Sequence, residues 1–170
     1  MSVARDLELY LVRHAPAAER GPEWPDDSAR PLTPGGAAKF GKAVAGLAAL
    51  GAQIDLILTS PFVRCRQTAD ILASGLPGRP RVQALDALAP GGGHTAVIAE
   101  AARVAKRPRV ALVGHEPDIG HLASKLLGMR RALEFRKGAI CRIDVDGLPP
   151  GGPGRLAWFA TPRMLRRMAP

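Results

Sequence analysis

The chain predicts a three-layer α/β/α fold, with helices on both faces of a mainly parallel sheet and one antiparallel strand. Short apolar runs fit for buried strands, Leu7 to Val12, Asp55 to Thr59 and Val110 to Val113, alternate with longer segments of helical pattern. Parallel strands of one sheet are joined by right-handed crossovers, and the intervening segments are long enough to make them. At 170 residues the chain can bury a proper core. No internal repeat, low-complexity tract or dividing linker interrupts it, so 1–170 reads as one domain.

Leu7 to Val12 is the first strand. Ala15 to Leu32, rich in Pro, Asp, Glu and Arg, follows as an exposed loop. Thr33-Pro34 is an N-cap with a first-turn proline, opening a helix that runs to about Leu50 and ends near Gly51. Asp55 to Thr59 is the second strand, and Ser60-Pro61 repeats the cap-and-proline start for a helix reaching about Ala73. Gly75 to Pro80 breaks the chain before a brief edge strand at Val82 to Ala84. Ala89 to Gly93 leads into a helix from Thr95 to Lys106. Val110 to Val113 is the clearest buried strand, and Pro117 starts a helix ending near Gly128. Two further strands, Ala139 to Val145 and Leu156 to Ala160, flank a turn-rich segment and are placed to pair antiparallel. A short helix with Met164, Leu165 and Met168 on one side closes the order.

Composition narrows the function. At 46% hydrophobic and 23% charged, the chain has the balance of a soluble globular protein. Its longest Ala/Leu/Val-rich stretch, Ala43 to Ala52, is broken by Gly46 and Gly51, so no bilayer span and no membrane partner are expected. Arg5, Asp6 and Glu8 stand where a signal peptide needs an apolar core, which points to the cytoplasm. Cys65 and Cys141 belong to no paired framework and are expected to be reduced. A net charge of +9 favours anionic partners. Nucleic acid is one such partner and charge alone leaves it open, but aromatics are 4% of the chain and the dispersed basic residues build no stacking platform, so no nucleic acid is expected. A phosphorylated small molecule or an acidic protein fits.

Three patches carry chemistry. Arg13-His14 follows the first strand, Ser60-Pro61-x-x-Arg64-x-x-Gln67-Thr68 opens the second helix, and Gly114-His115-x-Pro117 follows the clearest strand. The carboxyl ends of strands are where open α/β sheets bind ligands. A neutral imidazole at such an end is a competent nucleophile, and the Arg13 guanidinium beside it disfavours the imidazolium. Guanidinium forks match phosphate oxygens. Arg64 and Thr68 lie one turn apart on one face, which aims Arg64 at the strand ends. Arg66 points elsewhere, into solvent. Ser60 is expected to cap the helix and leave its first-turn N–H groups near the site. His115 is a candidate donor to phosphoryl oxygens.

Taken in order, these motifs resemble the histidine phosphatase superfamily, which also holds the phosphoglycerate mutases. The segments Arg30-Pro31-Leu32-Thr33-x-x-Gly36 and Leu85-x-x-Leu88-x-Pro90-x-Gly92 are similar to its small SixA-type branch. The resemblance implies a phosphoglycerate mutase-like fold and a phosphorylated nucleophile at His14. It places Arg13, Arg64 and His115 in the rest of the catalytic phosphate pocket, with no cofactor and no metal. It also implies a phosphorylated protein as partner, such as a histidine-phosphotransfer domain, or a small phosphorylated metabolite.

Two departures bear on substrate. The family's Arg-His-Gly is Arg13-His14-Ala15 here, and Ala15 restricts the backbone. No insertion supplies the acidic residue that larger members use as general acid; Asp86 and Glu19 are the nearest candidates. An alkyl phosphoester needs such a proton, whereas phosphohistidine leaves as imidazole with a free pKa of about 6.5. The expected activity is therefore a metal-independent phosphohistidine phosphatase. The alternatives are a phosphomonoesterase of the same family and a non-catalytic phosphate-binding module; mutase activity fits least.

Decoys fall away on chemistry. Gly36-x-x-x-x-Gly41-Lys42 lacks the hydroxyl residue of a P-loop, since Ala43 follows, and it lies inside a helix. His94, His115 and His121 have no ligand-spaced carboxylate or cysteine cluster. Cys65 is no cysteine-phosphatase nucleophile, since Ile71 stands where an arginine is required. Arg163, Arg166 and Arg167 form a solvated helix face.

Overall fold

The computed structural model describes residues 6–170, so Arg5, one of the charges set against a leader peptide, lies outside the described residues. Its strands are β1 (Leu7–Arg13), β2 (Leu56–Thr59), β3 (Arg81–Ala84), β4 (Arg109–Gly114), β5 (Ile140–Val145) and β6 (Arg155–Ala160). Its helices are α1 (Pro34–Ala49), α2 (Val63–Gly75), α3 (His94–Val104), α4 (Asp118–Leu127) and α5 (Pro162–Met168). The strands form one sheet in the order β3-β2-β4-β1-β5-β6. β1, β4, β2 and β3 pair in parallel, while β5 is antiparallel to both β1 and β6. β5 alone therefore runs against the rest.

Alternation along the strands divides the core in two. Tyr10 and Val12 of β1 pack with Phe40, Val44 and Leu47 of α1, Leu72 of α2 and Leu165 of α5. Leu9 and Leu11 face the other way, onto Val97 of α3 and Ile119, Leu122 and Leu126 of α4. Successive strand side chains point to opposite faces, so a strand covered by helices on both must be apolar throughout. That is why residues 9–12 of β1 and 110–113 of β4 are unbroken apolar runs. Each fully buried Leu or Ile contributes about 1.5–3 kcal/mol.

Local chemistry sets the helix ends. Thr33 Oγ1 accepts the Gly36 N–H at 2.9 Å ahead of Pro34, the cap expected for α1. Gly128 ends α4 with φ +68, a left-handed conformation that glycine adopts without steric cost. α2 begins later than expected, at Val63. Ser60-Pro61-Phe62 is a turn in which Ser60 Oγ accepts the Phe62 N–H at 3.2 Å, and the helix itself has no side-chain cap. Its hydroxyl is drawn off to His115, as described below. α5 also differs. Leu165 is buried, but Met164 and Met168 are 53% and 50% exposed, because a helix of two turns lying on α1 buries a single ridge. No helix among the described residues is long and apolar enough to cross a membrane.

The sheet order places the functional residues. Arg13 pairs with Gly114 across β1 and β4, so His14 and His115 leave the sheet side by side at its carboxyl edge.

Candidate active site

His14 is held by its own backbone before its side chain does anything. Its N–H donates to Gly114 O at 3.1 Å, and its carbonyl accepts from the Gly138 N–H at 3.0 Å. The buried ring has Nδ1 2.7 Å from Ala15 O. A carbonyl only accepts, so Nδ1 carries the proton and Nε2 keeps its lone pair. Burial, joined by the Arg64 and Arg13 charges, pushes the imidazolium pKa down to about 4. Arg13 thus acts on the ring as expected, though burial is the larger cause.

His115 faces it, with ring centroids 5.4 Å apart. Its Nε2 lies 2.8 Å from Ser60 Oγ, and Phe62 packs edge-on at 5.2 Å. Burial, then Arg64 and His14, push its pKa down to about 3. Both rings are neutral at ordinary pH. Cys65 lies against the same ring, Sγ 3.4 Å from Nε2, and burial pushes its thiol up to about 12, so no thiolate forms there.

Arg64 is the second residue of α2 and is buried, with its guanidinium 5.1 Å over the Phe62 ring. Nη1 donates to Asp27 O at 2.9 Å and Nη2 to Asp27 Oδ2 at 3.0 Å. Thr68, one turn on, donates to Arg64 O and accepts the Ala15 N–H, which ties α2 to the residue after His14. Gln67 Oε1 accepts the Leu32 N–H. Arg66 turns outward and pairs with Asp70. Arg13 Nη1 donates to Phe135 O at 2.6 Å. The Nε atoms of Arg13 and Arg64 are buried without a partner among the described residues. An unmade hydrogen bond of that kind costs about 1–3 kcal/mol, and an oxyanion would supply it.

All four expected residues, Arg13, His14, Arg64 and His115, thus line one cleft of about 360 Å³. Arg30 and Lys137 add positive charge to it, and Glu19 and Glu116 add carboxyls. Of the two expected acids only Glu19 lies there, exposed at the rim. Asp86 does not: its turn, Asp86–Leu88, buries Ala87 and Leu88 and leaves the carboxylate outside. Two residues that matter carry no sequence signal. Asp27 holds Arg64 and also accepts from Arg30 Nε at 3.0 Å. Burial raises its pKa, but the two arginines outweigh that and hold it below the usual carboxylate range. Glu116 is half-buried; burial pushes its carboxyl up, against the Phe135 N–H and Arg13.

The two histidines make stability pH-dependent. Their folded pKa values lie below the unfolded value of about 6.5, so the unfolded chain binds the extra protons as pH falls. Stability is expected to decline from about pH 6.5 toward the folded values, by up to about 1.4 kcal/mol per pH unit for each ring. Denaturant midpoints at about pH 7 and about pH 5 check this. The His14→Asn, His115→Asn double variant should lose most of the difference; an unchanged slope would contradict the burial of neutral rings.

Two imidazoles and the guanidiniums of Arg13, Arg20, Arg30 and Arg64 line a cleft at the carboxyl edge of an α/β sheet, a setting suited to phosphate-like oxyanions. Comparison with known proteins agrees. Residues 9–89 match the model of the histidine phosphatase superfamily (branch 1). An uncharacterized protein of Picosynechococcus sp. is 40% identical over 122 residues, 71% of this chain and 73% of its own length. The phosphohistidine phosphatase SixA of Escherichia coli is 26% identical over 162 residues, 94% of this chain and 97% of that protein. A structure of the protein histidine phosphatase SixA complexed with tungstate superposes with a TM-score of 0.80 at 26% identity, covering 92% of this chain and 98% of that one. The chain belongs to the histidine phosphatase superfamily. Within it the chain is a phosphatase of the SixA type.

Proposed function

We propose that the protein hydrolyses phosphohistidine on a phosphorylated protein through a covalent phosphoryl-His14 intermediate, without a metal ion. The observation that carries this is the Nδ1–H of His14 donating to Ala15 O, which leaves a neutral Nε2 as the nucleophile in a cleft with Arg13, Arg64 and His115. His14 Nε2 attacks phosphorus in line, and the P–N bond to the substrate imidazole breaks as that ring departs with the proton it already holds. Arg13, Arg64 and His115 stabilise the charge on the equatorial oxygens. Water then attacks the phosphoryl group, its oxygen joining phosphorus, and the N–P bond to His14 breaks to release phosphate. The arginines supply the positive charge that Mg²⁺ supplies elsewhere.

The substrate class rests on the carboxyls. Glu19 is exposed at the rim and Glu116 accepts the Phe135 N–H, so neither carboxyl is arranged as a dedicated general acid for an alkoxide. That favours a leaving group that departs as neutral imidazole. The names of the SixA relatives, a phosphohistidine phosphatase and a protein histidine phosphatase, support the same substrate. A histidine-phosphotransfer domain is one such protein. A phosphomonoesterase is the second reading, favoured by the raised Glu116 carboxyl in the cleft.

Phosphate release in excess EDTA, from a phosphohistidine protein and from an alkyl phosphate, separates them. Turnover of phosphohistidine with the alkyl ester slower by about 100-fold or more is expected, the usual scale of general-acid catalysis. Comparable rates would assign a metabolite phosphatase, and loss of all activity on removing metal would overturn the scheme.

A further inference from the structure

We propose that Glu116 is a positioning residue: it pins the 133–138 segment to the start of α4, and that segment sets Arg13 against the phosphoryl group. This rests on the reading of Arg13 as part of the phosphate pocket.

The connection between α4 and β5 has no regular secondary structure, yet it is what holds Arg13. Phe135 O accepts Arg13 Nη1 at 2.6 Å. The Gly138 N–H donates to Arg13 O at 3.1 Å and to His14 O at 3.0 Å, and the Arg13 N–H donates to Ala139 O at 3.1 Å. An irregular segment can hold an arginine in place only if it is itself held.

Two polar pins do that. Glu116 Oε1 accepts the Phe135 N–H at 3.2 Å, and Ser124 Oγ accepts the Leu133 N–H at 2.8 Å. Phe135 is buried, its ring edge-on to Phe159 at 5.0 Å. The fit around Glu116 is close. A Cβ on Gly120 would stand 2.2 Å from Leu133 O and 3.0 Å from both Glu116 carboxylate oxygens, so helix, carboxylate and segment touch at a point that admits only glycine. Phe135 thus takes Glu116 on its amide and offers its carbonyl to Arg13, and the Glu116 charge opposes that of the same guanidinium. A displacement of about 1 Å in a binding group costs about 100-fold in rate.

A double-mutant cycle with p-nitrophenyl phosphate as substrate and inorganic phosphate as inhibitor tests this, whatever the natural substrate is. Glu116→Ala is expected to lower kcat/KM by about 100-fold and to weaken phosphate inhibition. Glu116→Gln should restore most of both, because its amide oxygen still accepts the Phe135 N–H. In an Arg13→Ala background, Glu116→Ala should have little further effect, since it acts through Arg13. Additive losses would overturn the proposal, as would a Glu116→Gln variant as impaired as Glu116→Ala, the mark of a proton donor. Wild-type behaviour of Arg13→Ala would remove both the pocket assignment and the proposal; a crippled Arg13→Ala with additive losses would remove the proposal alone. Should Glu116→Ala fail to fold, Ser124→Ala releases the second pin, and a smaller loss, again absent in the Arg13→Ala background, is expected.

Discussion

His14→Ala is expected to abolish turnover, with kcat falling by at least about 10⁴-fold, the scale on which loss of a covalent nucleophile is felt. The reason is specific to the cleft. No other described group there is placed to take over: Cys65 is a buried thiol with its pKa pushed up to about 12, and His115 has its Nε2 against Ser60. Folding should survive, since the substitution removes one hydrogen bond, to Ala15 O, worth about 1 kcal/mol, along with a ring whose charged form is disfavoured by burial. Inorganic phosphate should still bind, because Arg13, Arg64 and His115 remain. Quenched-flow trapping provides the check: wild type should yield an acid-labile, base-stable phosphoenzyme and His14→Ala none. A variant that still turns over within about tenfold of wild type would end the nucleophile assignment.

Asp27→Ala is expected to cost both activity and stability. The Asp27 carboxylate and carbonyl receive both Nη groups of Arg64, and the same carboxylate receives Arg30 Nε. The Arg64 side chain is 3% exposed, so losing its partner strands a buried charge, for which about 3–5 kcal/mol is usual. Asp27 itself is 37% exposed and water can enter in its place, which lowers the expected loss to about 1–3 kcal/mol. Asp27→Ala keeps the main-chain carbonyl that receives Nη1 but removes the carboxylate that receives Nη2, so Arg64 is held at one point instead of two and kcat/KM should drop by up to about 100-fold. Asp27→Asn restores a side-chain carbonyl acceptor and should recover part of both. Thermal unfolding beside steady-state kinetics on the two variants tests this; an Asp27→Ala enzyme with unchanged kinetics would mean that Arg64 is placed by α2 alone.

Much of this was legible in the order of residues, and the exceptions share a cause. His14 and His115 were legible because each follows an apolar run that only a strand buried on both faces requires, and Arg64 because Thr68 repeats its face one turn on. Ser60 is expected to cap α2, but its hydroxyl shapes the turn ahead of the helix and meets His115, a contact between residues 55 apart that no local pattern reveals. Asp27 was not read. It sits in a polar loop beside Asp26, which merely caps the turn through Ser28, and nothing local separates the two. Phe135 was beyond reach for a different reason, since its carbonyl does the work and a carbonyl is the same in every residue. Asp86 lies outside the cleft because its neighbours Ala87 and Leu88 are buried in the core, a placement set by tertiary packing that the local sequence does not show.

The pairing of Arg13 with Gly114 has a further consequence. Since β1 and β4 are neighbours in the interior of the sheet, the gap between the two histidines is a lattice constant of the fold, about 4.8 Å of strand spacing, and no loop can stretch it. Glu19 and Pro90, by contrast, border the cleft without belonging to that lattice and without holding His14 or Arg64, as Ala15 and Asp27 do. The reaction centre and the choice of substrate are thus built from separable material, and a redesigned rim could redirect this protein to a new phosphorylated compound while its chemistry stays where the backbone put it.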